Sequence, residues 1–288
     1  MLEVGKKIND YTLVEHIDSG GFGEVWKAEK RTYLSVTEFA IKFFHSTNKQ
    51  GINLEKVKKE VAIWKKVSGS SNIISVIEAN KFENHIYIVS EYADGGSLEN
   101  WLRKKGGKAQ SPQRAVQIIL EILKGLENMH REGFVHRDLK PANILIKKNV
   151  FCLADFGISR QIKTHSKATG TAGTFEYIPP EAFSKNPSIS VHADIWAAGV
   201  ILQELLTGIF PFSGDIPSLT NAILREEPEP MPGDIPESLR EIVGKALQKN
   251  RENRFQTARE MREALKNPSM FLAKQVVSNR ENADAAQP

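Results

Sequence analysis

The carboxylates of Asp138 and Asp155, the amide of Asn143 and the amine of Lys140 stand among apolar neighbours between residues 136 and 157. The segment reads His136-Arg137-Asp138-Leu139-Lys140-Pro141-Ala142-Asn143, then a strand-like run, then Asp155-Phe156-Gly157. Breaking a buried ion pair costs about 3–5 kcal/mol, so ionisable groups crowded among apolar strands call for a counter-charge. A bound cation would supply it. Carboxylate and amide oxygens are hard donors, suited to Mg2+ shared with phosphate rather than to zinc or copper.

A second group of residues could meet phosphate. Gly20-Gly21-Phe22-Gly23 joins two short strands, and a glycine-rich hairpin lets backbone N–H groups approach phosphate oxygens with no side chain between. In Ala40-Ile41-Lys42-Phe43-Phe44 the period of two puts Ala40, Lys42 and Phe44 on one face of a strand. Leu54, Val57, Val61 and Trp64 recur at helical spacing after the cap residue Asn53, so residues 53 to 67 read as an amphipathic helix with Glu60 beside its apolar stripe. Taken singly, Lys42 is a lysine on an exposed sheet face and Glu60 a surface partner of Lys56.

In this order and spacing the residues resemble the eukaryotic-like serine/threonine protein kinase family. The pattern H-R-D-L-x-x-x-N followed by D-F-G is similar to the kinase catalytic core. Gly20, Gly23 and Val25 fit the loop G-x-G-x-x-G-x-V, with Asp18 where the first glycine is usual, and Ala40-Ile41-Lys42 fits V-A-I-K. The resemblance implies that Asp138 is the general base or orienter of a substrate hydroxyl, that Lys140 neutralises the transferring phosphoryl group, and that Asn143 and Asp155 hold Mg2+, or Mn2+ in its place. It implies that Lys42, held by Glu60, meets the alpha and beta phosphates of ATP under the loop of Gly20, Gly21, Phe22 and Gly23. Val25, Ala40 and Leu145 would sandwich adenine, and the backbone of Glu91 and Ala93 would meet its edge.

The same resemblance marks residues 158 to 178 as an activation loop, with Thr171 or Thr169 the phosphorylation candidates and Arg137, Arg160 and Lys56 the basic pocket that reads the phosphate. Asp194 would bind the backbone around His136 and Arg137, and Arg254 would pair with Glu181. Lys140-Pro141 and Thr174 are typical of serine/threonine specificity. An alternative is a pseudokinase scaffold that binds nucleotide without efficient transfer, motivated by Asp18, Trp64 and Pro179, and disfavoured by the presence of Lys42, Glu60, Asp138, Asn143 and Asp155. A small-molecule kinase of related fold is weakened by Arg137, Thr174 and Pro179-Pro180-Glu181.

The elements that must position these groups divide into a strand-rich and a helical part. Tyr11 to Ile17, Glu24 to Glu29, Glu38 to Phe44, Ile74 to Ala79 and Ile86 to Glu91 read as strands of an antiparallel sheet. Ser97 caps a helix with Leu98, Trp101 and Leu102, and Ser111-Pro112 opens a longer one reaching Met129. A helix apolar nearly all round begins at Asp194 and stops at Gly208, a short one lies near Leu219 to Leu224, and Leu239 to Leu247 and Thr257 to Leu265 follow, the last with the capping box Thr257-x-x-Glu260. The expected fold is α+β and bilobal: a β-rich lobe with one helix over residues 1–92, a mainly helical lobe over 93–267, and a tail or linker over 268–288.

Composition bounds the partners. At 288 residues and 40% hydrophobic content the chain can bury a core, and 39 basic against 35 acidic residues leave +4 with no block dense enough for a nucleic-acid patch. The single cysteine, Cys152, excludes an internal disulfide framework and fits a reducing compartment. No apolar run approaches the ~18 residues that span a bilayer, and the first residues lack a signal-peptide pattern. The expectation is a cytoplasmic protein acting on protein hydroxyls, with neither nucleic acid nor membrane as partner; nothing in the sequence argues for or against a dimer.

Overall fold

The computed structural model describes residues 2–20, 23–44, 61–62, 64–83, 85–155, 175–184 and 189–273. The chain forms two compact units, Met1–Gly96 with Leu145–Ala168, and Ser97–Ile144 with Thr169–Pro288. The first unit thus reaches past residue 92 and takes back a later segment, because Gly95 N–H donates to Ile146 O at 2.8 Å and Ile146 N–H to Gly96 O at 2.8 Å.

The first unit is built on a six-stranded antiparallel sheet in the order β1-β2-β3-β4-β6-β5. Its strands are β1 (Lys7–Ile8), β2 (Tyr11–Gly20), β3 (Gly23–Arg31), β4 (Val36–Phe44), β5 (Val76–Phe82) and β6 (His85–Glu91). Residues opposite one another on neighbouring strands share a face, so the register sorts the side chains. Trp26 faces Ile41 and Ile41 faces Val89, while Phe43 faces Tyr87. With Ile8, Tyr11, Leu13 and Ala28 these residues form one buried apolar cluster. Each large side chain so buried is worth about 1.5–3 kcal/mol. The opposite face carries the rows Val25–Lys42–Ile88 and Lys27–Ala40–Ser90.

β3 and β4 run further into the polar stretch 30–37 than alternation of apolar residues suggests. Their turn is only Thr32 to Ser35, closed by Thr32 N–H on Ser35 O at 2.9 Å. The strand ends beside it are solvent-facing and held by ion pairs, Lys30 with Asp10 at 2.8 Å and Arg31 with Glu29 at 2.8 Å, which leave no apolar signature. A separate two-stranded sheet pairs β7 (Ile144–Lys147) with β8 (Val150–Leu153). Lys148 and Asn149 between them have φ of 50° and 64°, the primed two-residue turn that suits a hairpin's twist.

The second unit contains α1 (Leu98–Lys104), α2 (Pro112–Arg131), α3 (Val191–Thr207), α4 (Ile216–Arg225), α5 (Glu237–Ala246) and α6 (Ala258–Lys266). The side chains of Ser97, Ser111, Asp215 and Thr257 accept the N–H groups of Asn100, Arg114, Ser218 and Glu260 at the helix starts, each cap contributing about 0.5–2 kcal/mol. Glu260 closes its box one residue earlier than the usual pattern, accepting from Gln256 N–H at 2.8 Å. α3 is buried on every side and packs against α2, α5 and α6. It starts at Val191, three residues ahead of Asp194, after the extended Ser190, and ends at Gly208 with φ 77°. Residues 268–273, read from the sequence as the start of a tail, are helical, with the Phe271 ring 5.7 Å from that of Phe255. Among the described residues no helix is long and apolar enough to cross a membrane.

Candidate active site

In the first unit the sheet presents Lys42 from the face opposite its core. Lys42 Nζ lies 2.7 Å from Asp155 Oδ2, the two side chains 22% and 35% exposed. Asp155 follows β8 and holds φ of +57°, a left-handed conformation that Asp tolerates better than most side chains. Glu60, expected beside Lys42, lies outside the described residues, as do Gly21, Phe22, Lys56, Arg160, Thr169, Thr171 and Thr174. Gly20 pairs with Gly23 at the end of the β2–β3 ladder. A Cβ on Gly23 would stand 1.8 Å from the Phe43 carbonyl oxygen, so only glycine permits that backbone approach. Asp18 is opposite Val25 and exposed to solvent.

Val25, Ala40 and Leu145 are all only partly buried, in contrast to Trp26, Ala28 and Ile41 on the core face. At the end of β6, Glu91 does more than offer a backbone carbonyl. Its carboxylate accepts from Ser75 N–H at 3.0 Å and pairs with Lys147 at 2.8 Å. Burial pushes that carboxyl up, but the Lys147 ammonium and the Ser75 amide outweigh it and hold the group below its usual range. The clamp fixes the residues leading to Ala93, which is 9% exposed. Lys27 adds a second brace, its ammonium 4.6 Å over the Tyr92 ring and 2.7 Å from Glu38.

In the second unit the segment after α2 is fixed from below by Asp194 on α3. This buried carboxylate accepts His136 N–H at 2.8 Å and Arg137 N–H at 2.9 Å, and lies 2.8 Å from His130 Nε2. Such a triple anchor is what holds Arg137, a non-glycine residue, at φ 66°. Beyond it the turn Pro141–Asn143 brings Asn143 back onto Asp138: Asn143 Nδ2 donates to Asp138 O at 2.7 Å and to Asp138 Oδ2 at 3.1 Å. Lys140 Nζ stands 3.8 Å from the same carboxylate oxygen. The Asn143 amide nitrogen is spent on Asp138, and Oδ1 is the atom of that side chain able to bind a cation. Asp138, Lys140 and Asn143 therefore form one cluster, with one side of the Asp138 carboxylate fixed.

Glu181 and Arg254 meet in a bidentate pair at 2.9 and 2.8 Å. Arg254 also donates to the carbonyls of Gln248, His192 and Lys249, and it is 1% exposed. Nearby in sequence, Tyr177 O–H donates to Glu204 Oε2 at 2.8 Å. Burial pushes the Glu204 carboxyl up to about 7; the Tyr177 bond opposes this, and the charges of Glu99 and Glu176 add to it. Burial first, then Glu204, push the Tyr177 hydroxyl up as well. The contributions of His130, Lys147, Ser75 and Glu204 escaped the sequence reading. Each is a single polar residue meeting a partner far along the chain, which leaves no motif or period.

Carboxylate and amide oxygens such as those of Asp155 and Asn143 are hard donors. The protein kinase domain family model matches residues 11–269, and the chain belongs to that family. It is 32% identical over 272 residues to "Probable serine/threonine-protein kinase PknB" of Lactococcus lactis, an alignment covering 91% of this chain and 42% of that protein. With a probable serine/threonine-protein kinase of Clostridium perfringens it shares 31% identity over 267 residues, 90% of this chain and 38% of the other. With serine/threonine-protein kinase PknB of Mycobacterium leprae it shares 39% over 204 residues, 66% and 32% of the two lengths. The chain spans less than half the length of these relatives.

Proposed function

We propose that this chain is a serine/threonine protein kinase that transfers the gamma-phosphoryl group of ATP to serine or threonine hydroxyls of proteins. The observation that carries the reading is the Asp138–Asn143–Lys140 cluster, in which an amide and an ammonium fix one side of a carboxylate. When bound, ATP would supply the phosphoryl group and Mg2+ a counter-charge for its oxygens. Asp155 in the first unit and Asn143 Oδ1 in the second are hard donors of the kind that would hold such a cation, and Lys42 is an amine of the kind that would meet the alpha and beta phosphates.

Asp138 Oδ2 is held by Asn143, so the rest of the carboxylate can align a substrate hydroxyl and take its proton. Lys140 offsets negative charge next to that point. Asp194 keeps the whole segment in place by binding two consecutive N–H groups at its start. The serine/threonine preference rests on Lys140-Pro141 and on what the relatives' names state. A test is transfer of labelled phosphate from ATP to a protein substrate, with Asp138→Asn as the comparison. Asn keeps the shape but cannot accept the proton, and loss of a general base removes about 10²–10⁴ in rate. Equal transfer by both proteins would overturn the reading in favour of a nucleotide-binding scaffold.

A further inference from the structure

Trp64 makes a hydrogen bond that an aliphatic side chain could not make. It is 4% exposed, and its indole Nε1 donates to Ile74 O at 2.7 Å. Ile74 N–H donates to Leu153 O at 2.9 Å, Leu153 N–H to Asn72 O at 2.9 Å, and Asn72 Nδ2 to Phe151 O at 3.1 Å. Ile73 and Leu153 form a parallel bridge. The helical turn around Trp64 is tied again at its end, where Ser68 Oγ donates to Trp64 O at 2.9 Å and accepts Val76 N–H at 3.2 Å. One continuous path of bonds thus runs from the indole to β8, which ends two residues before Asp155. All of it lies within the first unit.

Asp155 needs such a carrier. Its left-handed backbone is not its lowest-energy conformation, so its direction depends on how firmly the preceding strand is held. An aliphatic side chain at position 64 could fill the space but would leave the buried Ile74 carbonyl without this donor, and a lost buried bond is costly. We propose that Trp64 is a positioning residue: through Ile74 and Leu153 its indole N–H sets where Asp155 stands for the metal that accompanies the nucleotide. This rests on the kinase reading above.

The test is Trp64→Phe, which keeps an aromatic ring and removes the N–H. A fluorescent ADP analogue is titrated with and without MgCl2, and folding is followed by thermal denaturation. The expected result is a folded variant with unchanged metal-free nucleotide affinity and an about tenfold higher Mg2+ concentration for half-maximal capture, a factor equivalent to ~1.4 kcal/mol. A folded variant with the Mg2+ dependence of the unmodified chain would overturn the proposal. Hydrogen exchange in the unmodified chain decides the matter if the variant does not fold. The Trp64 indole N–H and the Ile74 and Leu153 amides should slow together on adding MgADP, and independent protection of the indole would overturn it. An unmodified chain that captures no MgADP would overturn the kinase reading along with this one, which tells the two failures apart.

Discussion

Two ion pairs in this molecule are alike in length, 2.8 Å and 2.7 Å, and differ in everything that surrounds them. Arg254 and Glu181 form a closed knot: the guanidinium makes five hydrogen bonds, two to the carboxylate and three to carbonyls, and is 1% exposed. Among the described residues Lys42 and Asp155 share one bond, at 2.7 Å, and they keep 22% and 35% of their side chains exposed. A saturated, buried pair has nothing left for a ligand, and a partly exposed pair can trade its partner for one. Saturation and exposure, rather than charge, separate a fastening from a pair suited to the working role proposed above.

The largest effect is expected at the knot. Arg254→Met leaves Glu181 and three carbonyls without their donor, costing about 3–5 kcal/mol, or roughly 10 °C in Tm for a protein of this size. Thermal denaturation measures it, and a shift under about 2 °C would break the contrast. Glu204 sharpens the middle of the scale, because it is partly buried and has the neutral Tyr177 as its bonded partner among acidic neighbours. Its carboxyl is raised to about 7, so between the ordinary carboxylate value and about 7 the folded state keeps a proton that the unfolded chain has lost. Its contribution to stability is therefore full at pH below about 4.3 and declines as pH rises to about 7. Glu204→Gln keeps an acceptor for Tyr177 and removes the charge. It should raise stability at pH 8 by about 1–3 kcal/mol and flatten the melting profile between pH 5 and 7. An unchanged profile would show that Glu204 titrates normally.

The smallest stability change belongs to the working pair. Lys42→Met should cost under about 1 kcal/mol, as partly exposed pairs do, while capture of MgADP, followed by fluorescence, is lost. If Lys42→Met melts as early as Arg254→Met, the two pairs are the same kind of object and the distinction falls.

The fold class was legible because period and punctuation carry it. Alternation at Tyr11 to Ile17, the caps at Ser97, Ser111 and Thr257, and the stop at Gly208 are local signals, each readable within a few residues. The segments around Asp138 and Asp155 were legible for a different reason, as ionisable groups set among apolar residues in the order and spacing of the kinase motifs. Contacts such as His130 with Asp194, Glu91 with Lys147, and Trp64 with Ile74 were not. They join residues 64, 56 and 10 positions apart through one bond each, and one polar side chain in an otherwise ordinary helix or strand announces no partner. The start of α3 was placed late for a related reason: the acid at Asp194 looks like a first-turn residue, although its carboxylate turns toward the backbone of His136 and Arg137.

Arg137 and Asp155, neither of them glycine, stand at φ 66° and 57°. Each such residue carries roughly 1–3 kcal/mol of conformational strain, so a laboratory selection for heat resistance alone would drift toward glycine or asparagine at both positions. On the kinase reading, survivors of that selection would be hardy and chemically silent, and anyone breeding a tougher version of this protein must select for phosphoryl transfer at every round.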